Sequence, residues 1–261
     1  MSPLLYQDPV LLRGDIHKLA GFLACESFQF AAGVVAVPLN ASEFALAARC
    51  YPIVFADTEA MLPLAVMGLS GASNLFVDGE GKWTDGAYVP AYVRRYPFLP
   101  VTTPGSDALM LTIDRPRLME SGGTVPEEPD RLFDGDKPSA LAARALDFCE
   151  RYHRDHLRTA AFVTALREHD LLETRRADIR LPDQSQFRID GFRMIDRTKL
   201  RALPDDCLGE WFRKGWLDLA ALAEASQANW QTLLDRHATL PAAAAAVPPA
   251  PRRSNRKRAD A

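Results

Sequence analysis

The residues best suited to chemistry lie between positions 83 and 98. Trp83, Tyr88, Tyr92, Arg94, Arg95, Tyr96 and Phe98 combine aromatic faces with two adjacent guanidinium groups. An arginine fork holds a carboxylate or phosphate through two parallel hydrogen bonds, and aromatic faces stack on a ligand or attract a cation. The same residue types dominate the energetic centres of protein interfaces. The expected ligand is therefore a small anion or a protein partner, with Arg94 or Arg95 binding the charge and Trp83 and Tyr88 supplying an apolar wall. A purely structural reading stands beside it. Tyr92, Val93 and Tyr96 would be the buried stripe of a short helix, with one arginine paired to an acid such as Asp78 or Asp85. Adjacent helical residues point to different faces, so at most one of the two arginines is expected to be buried.

A second constellation is Glu150, His153 and His156. The i, i+3 spacing brings both imidazoles to one helix face, and Glu-x-x-His is half of the motif used by di-iron bundles. An enzyme assisted by a metal on this face is the alternative functional reading. A working site needs more ligands than these three, and no second copy of the motif occurs, so no metal or cofactor is assigned. No G-x-S-x-G elbow, phosphate-binding P-loop or dinucleotide fingerprint is present. Ser70-Gly71-Ala72-Ser73 reads as a turn of small residues. Cys25, Cys50, Cys149 and Cys207 are far apart and set among apolar neighbours, which fits small buried hydrophobes better than a zinc or disulfide framework.

These groups sit in a chain of 261 residues with 48 % hydrophobic and 25 % charged residues, a balance that supports a folded core. The net charge of −3 conceals an uneven distribution: the last eleven residues carry +4, leaving residues 1–250 at −7. An acidic body argues against a specific nucleic-acid-binding core. No run of eighteen apolar residues occurs, so no transmembrane segment is expected. Asp8, Arg13, Asp15 and Lys18 break up any signal-peptide core, so the expected location is cytoplasmic.

The elements that must position the site follow from periodicity and punctuation. Phe28–Pro38 reads as a strand. Asn40 with Glu43 forms a capping-box pattern before a short helix, Phe44–Tyr51, stopped by Pro52. Ile53–Phe55 and Leu64–Leu69 read as strands, and Leu75–Val77 with Lys82–Trp83 as a hairpin. A helix over Val89–Tyr96 ends at Pro97, followed by extended Phe98–Leu99 and a strand at Leu109–Ile113. Arg49-Cys50-Tyr51-Pro52-Ile53 and Arg94-Arg95-Tyr96-Pro97-Phe98 share an R-x-Y-P-apolar core; with three matching positions, common helix-stop chemistry explains it better than an old duplication does. A long helical stretch follows from Ser139 to about Glu168. Next come a hairpin at Ile179–Ile189, a turn at Asp190-Gly191 and a strand at Phe192–Ile195. Leu208, Trp211 and Phe212 then form a stripe closed by Gly215, and Leu219–Leu234 reads as one amphipathic helix. The expected organisation is an α+β domain over residues 1–240, with a sub-boundary near 115–136. Its N-terminal half is rich in sheet with short helices and its C-terminal half is rich in helix. Residues 241–261, Ala/Pro and then basic, read as a disordered tail capable of weak electrostatic contacts.

Several segments together resemble the SapC family. They are YPIVF at Tyr51–Phe55, NLFVD at Asn74–Asp78 with Trp83 after it, YVPAYVRRYPF at Tyr88–Phe98, and LFD at Leu132–Asp134. TAAFVTAL at Thr159–Leu166 and the D-G-F-x-x-I-D run at Asp190–Asp196 continue the likeness. It covers nearly all of residues 1–236. The resemblance implies a bacterial protein with a surface-layer, envelope or secretion connection. It supplies no catalytic residues to carry over, and an accessory role fits it best.

Overall fold

The computed structural model describes residues 4–69, 73–102, 109–119, 130–180 and 186–239. Along these residues come β1 (Pro9–Leu11), α1 (Gly14–His17), β2 (Gly21–Phe22), β3 (Ala36–Pro38), α2 (Phe44–Ala47), β4 (Ile53–Ala56) and β5 (Pro63–Val66). They continue with α3 (Ala91–Arg94), β6 (Phe98–Thr102), β7 (Leu109–Asp114), β8 (Leu118–Met119), β9 (Asp130–Arg131), β10 (Phe133–Asp134) and β11 (Lys137–Pro138). The last part holds α4 (Ala140–Glu168), β12 (Leu172–Arg180), β13 (Gln186–Ile195), α5 (Arg197–Arg201), α6 (Asp205–Arg213), α7 (Trp216–Ala225) and α8 (Asn229–Ala238). The class is α+β, with short strands and one-turn helices first and longer helices after. The expected turn at Ser70–Ser73 and the expected C-terminal tail fall wholly or mainly outside the described residues, as does the loop expected at Ser121–Asp136 up to residue 129; from Asp130 that stretch instead holds β9 and β10.

The main sheet has the order β12-β13-β4-β5-β3, every pair antiparallel. Its centre is β4, where Ile53, Val54 and Phe55 are all buried, as an unbroken apolar run flanked on both edges requires. The layer against it is aromatic: Phe162 of α4 lies 6.4 Å from both Phe44 and Phe55 and 6.2 Å from Trp211 and Trp216, ring centre to ring centre. A smaller sheet, β1-β7-β6, is pinned by Asp114. This fully buried carboxylate accepts from Gln7 N and Asp8 N at 2.8 Å and from Tyr96 Oη at 3.0 Å.

Several expectations need correction. Phe28–Pro38 is extended only at β3; Gln29–Ala31 forms a 3₁₀ turn instead. There the apolar run serves ring packing rather than a ladder, with Phe28 5.3 Å from Trp83 and Phe30 stacked 4.1 Å from Tyr96. The 75–83 hairpin reduces to a single Val77–Trp83 bridge around a turn in which Asp78 accepts from Glu80 N and Lys82 N. Gly81 in that turn has φ +81°, and a Cβ there would lie 2.8 Å from Ser27, so only glycine fits without rearrangement. Helix α3 is one turn, begun by Pro90, rather than the whole of Val89–Tyr96. Asp190-Gly191 does not separate two strands: β13 runs through it, with the register against β12 shifting between Arg175 and Ala177. The first arm of the hairpin expected from Ile179 begins earlier, at Leu172, as β12. Phe212 is 71 % exposed whereas Trp211 is 1 % exposed, so the buried stripe of α6 includes only the latter.

The expected single helix at Leu219–Leu234 breaks at a 3₁₀ turn, Ser226–Ala228. The break has a purpose in the sheet. Ser226 Oγ accepts from Ile53 N at 2.9 Å, and Gln227 Nε2 donates to Ile53 O at 2.8 Å. Side chains of the helix thus complete the backbone pairing at the start of the central strand.

Asp114→Ala would strand three donors, one of them a buried tyrosine hydroxyl. The expected loss is about 2–4 kcal/mol in denaturant unfolding, with faster amide exchange at Gln7 and Asp8. Asp114→Asn, which keeps one acceptor oxygen, should cost clearly less.

Candidate functional site

The sequence-expected residues separate into two environments. Trp83 is 5 % exposed, and its Nε1 donates to Tyr51 Oη at 3.2 Å. Tyr51 in turn donates to Tyr88 O. Trp83 therefore supports the segment from behind and is not among the residues lining the cleft beside Arg94. Tyr92, Tyr96 and Phe98 are also buried.

The two arginines diverge as their adjacency requires. Arg95 is 7 % exposed. Its guanidinium lies 4.8 Å from the Tyr92 ring centre, 4.6 Å from Tyr152 and 5.9 Å from Tyr6, and Nε donates to Tyr6 Oη at 3.3 Å. The expected pairing with Asp78 or Asp85 does not occur. Asp78 caps its own turn, Asp85 pairs with Lys82 at 3.0 Å, and ring faces take the place of a carboxylate. Burial pushes up the hydroxyl pKa of Tyr6, Tyr92 and Tyr152, so the cage around the cation stays neutral at ordinary pH.

Arg94 is exposed. Nε donates to Val89 O at 3.0 Å and one terminal nitrogen donates to Tyr88 Oη at 3.0 Å. The group also lies 5.6 Å from the Tyr88 ring centre and 5.5 Å from that of Phe148. Among the described residues it has no carboxylate partner. It lines a cleft of about 410 Å³ between α3, α4 and the turn before α2, with Glu43, Tyr88, Phe148, Arg151 and Tyr152. Arg151 is paired with Asp147 at 3.0 Å on the solvent side.

Glu43 forms the floor. It is 4 % exposed; Oε1 accepts from Tyr88 Oη at 2.9 Å and from Ala91 N at 2.7 Å, while Oε2 accepts from Asn40 N at 2.9 Å. The capping box read from sequence is thus part of a larger clamp: one carboxylate ties the start of α2 to the start of α3. Burial raises the Glu43 pKa above the usual carboxylate range, with the three donors and Arg94 pulling it back. Tyr88 is pushed up to about 12 by burial and by the Glu43 charge. Both groups are engaged in structural bonds: Glu43 accepts three, and Tyr88 Oη bridges Glu43 and Arg94. What the cleft offers chemically is a fixed, outward-facing guanidinium beside aromatic faces.

A family model described as SapC matches residues 12–233. The chain belongs to the SapC family. No curated protein and no solved structure gives a significant match. Within this SapC-family chain, the Tyr88–Phe98 segment that carries the likeness supplies both arginines.

The Glu150, His153 and His156 set is not brought together as a metal site. Among the described residues no three His, Cys, Asp or Glu side chains are placed to hold an ion. Glu150 is exposed, and half-burial followed by the His153 charge lowers the His156 pKa. No helix among the described residues is long and apolar enough to cross a membrane. Sequence reasoning missed Phe148, Arg151 and Tyr152 as cleft residues. Their spacing on α4 was the available signal, since Phe148 and Tyr152 are four residues apart. Of the four cysteines read as small buried hydrophobes only Cys149 is buried; Cys25, Cys50 and Cys207 are partly exposed, and Cys207 Sγ lies 3.5 Å from His169 Nε2.

Glu43→Gln places an amide N–H against existing N–H or O–H donors and should cost about 1–3 kcal/mol of stability. The raised native pKa also sets a sign. Between the unfolded and native pKa values of Glu43 the folded state binds more protons, so the stability contribution falls as pH rises through that window. The wild-type advantage over Glu43→Gln should therefore shrink from acidic toward neutral pH in paired urea titrations.

Proposed function

We propose that this SapC-family chain is a non-catalytic binding or accessory protein whose α3–α4 cleft takes a small ligand with an anionic head and an aromatic or apolar body. The observation that supports this is Arg94. It is held by a backbone carbonyl and a tyrosine hydroxyl, it faces a cleft of about 410 Å³, and it lacks a carboxylate partner among the described residues. A guanidinium oriented in this way loses little rotamer freedom on binding, so an anion recovers most of the hydrogen-bond energy. The volume lies within the range of small-molecule sites. In this reading Tyr88, Phe148 and Tyr152 contact the apolar body, and Trp83, Tyr92, Arg95 and Tyr96 set the position of Arg94. The surface-layer or envelope connection carried by the resemblance fits such an accessory role, with a cytoplasmic location as the working assumption.

Phenyl phosphate combines both ligand features and serves as a probe by titration calorimetry. Arg94→Met should weaken its binding about 10- to 100-fold, the worth of a charge-assisted pair, while the chain stays folded by circular dichroism. Binding by Arg94→Met equal to wild type would remove the reading, and so would a wild-type protein that neither binds the probe nor carries a small anion in native mass spectrometry.

A further inference from the structure

We infer that the chain has a second, smaller site for a phosphate-sized oxyanion, between the end of α2, the turn after Trp83, and α8. A cavity of about 200 Å³ opens there, lined by Arg49, Phe76, Thr84, Asn229, Thr232 and Arg236. Its size is several times the ~30 Å³ share of one water and below the ~300 Å³ at which drug-sized pockets begin. It suits an oxyanion with some retained water and is too small for a large organic body.

Arg236 is fixed in place. Its guanidinium lies 4.4 Å from the Phe76 ring centre, and one terminal nitrogen donates to Thr84 Oγ1 at 3.2 Å and Leu75 O at 3.4 Å. Its Nε is buried with no hydrogen-bond partner. Neither Arg49 nor Arg236 has an ion pair among the described residues. Asp85, also on the rim, is taken by Lys82 at 3.0 Å. The two cations therefore line a small open cleft with no ion pair among the described residues, an arrangement that a bound oxyanion complements. The walls are held together independently: Asn229 Nδ2 of α8 donates to Ala48 O at 2.8 Å and to Tyr51 O at 3.1 Å.

The repeated R-x-Y-P core supplies a second line of argument. Arg49 occupies the position in the first copy that Arg94 occupies in the second. Arg94 is the last residue of a one-turn helix and Arg49 lies two residues beyond one, and each precedes a buried tyrosine, a proline and a strand. Tyr51 donates to Tyr88 O, and Tyr96 donates to Asp114 Oδ2 at 3.0 Å. In both copies the anchored tyrosine leaves the arginine two residues earlier lining a cleft.

The inference does not depend on the α3–α4 cleft, and the test separates them. The full chain is titrated with inorganic phosphate by calorimetry and by melting temperature, against chloride at matched ionic strength. Wild type should show saturable binding and a phosphate-dependent rise in melting temperature. Arg49→Met, an exposed change, should fold normally and bind phosphate at least about tenfold more weakly. Thr232→Val should weaken binding to a lesser degree, and the saturable phosphate binding that is lost in Arg49→Met should persist in Arg94→Met, which removes only the α3–α4 cleft. No saturable response in wild type overturns the site. So does an unchanged response in Arg49→Met, or a response lost in Arg94→Met and kept in Arg49→Met.

Discussion

Two cations on consecutive residues grip two rings four residues apart. Arg94 lies against Phe148 and Arg95 against Tyr152, and this crossing of α3 on α4 is the contact on which the rest of the candidate site depends. A one-turn helix has almost no stability of its own. Here it is held from outside, by the rings of α4 on one side and by the Glu43 carboxylate at its start. The division of labour between the arginines follows. Arg95 gives up solvent for three tyrosine faces and fixes the angle. Arg94, displaced by about 100° around the helix, keeps its solvent-facing edge.

Much of this was written locally in the sequence and some was not. The Asn40/Glu43 capping pair, the start of α4 at Ser139 and the αL glycine at Gly215 all depend on neighbours within a few residues, and all are where the pattern placed them, whereas the helices expected to run to Pro52 and Pro97 stop earlier, at Ala47 and Arg94. The opposed fates of Arg94 and Arg95 were also legible, because they rest on helical geometry alone. What failed was whatever long-range partners decide. The apolar Phe28–Phe30 stretch turns because Trp83 and Tyr96 lie beside it, and Ser226 breaks an otherwise sound amphipathic helix because Ile53 needs a donor and an acceptor there. The second and third donors to Glu43, 45 and 48 residues away, have no local signature. Nor does the substitution of tyrosine rings for a carboxylate around Arg95.

A recurring device in this SapC-family protein is a polar side chain that completes the backbone of a distant segment. Asp114 does so for Gln7 and Asp8, Ser226 and Gln227 for Ile53, Asn229 for Ala48 and Tyr51, and Thr159 for Ala41 at 2.8 Å. With short strands and one-turn helices, much backbone lies outside regular ladders, and each such group must find a partner when buried. These bonds specify arrangement more than they add net stability, since each replaces one made to water.

The place of β4 in the main sheet bears on how the chain comes off the ribosome. One flank of β4 can pair early, with β5 ten residues later. The other flank waits for Phe192 and Arg193, and its first residue waits for Ser226 and Gln227, 173 and 174 positions downstream. Throughout synthesis of the intervening chain, Ile53-Val54-Phe55 has one open, strongly apolar edge, the kind that recruits a stray strand from another molecule. The N-terminal half is therefore committed to its C-terminal half: it can begin its central sheet alone, but it cannot close it.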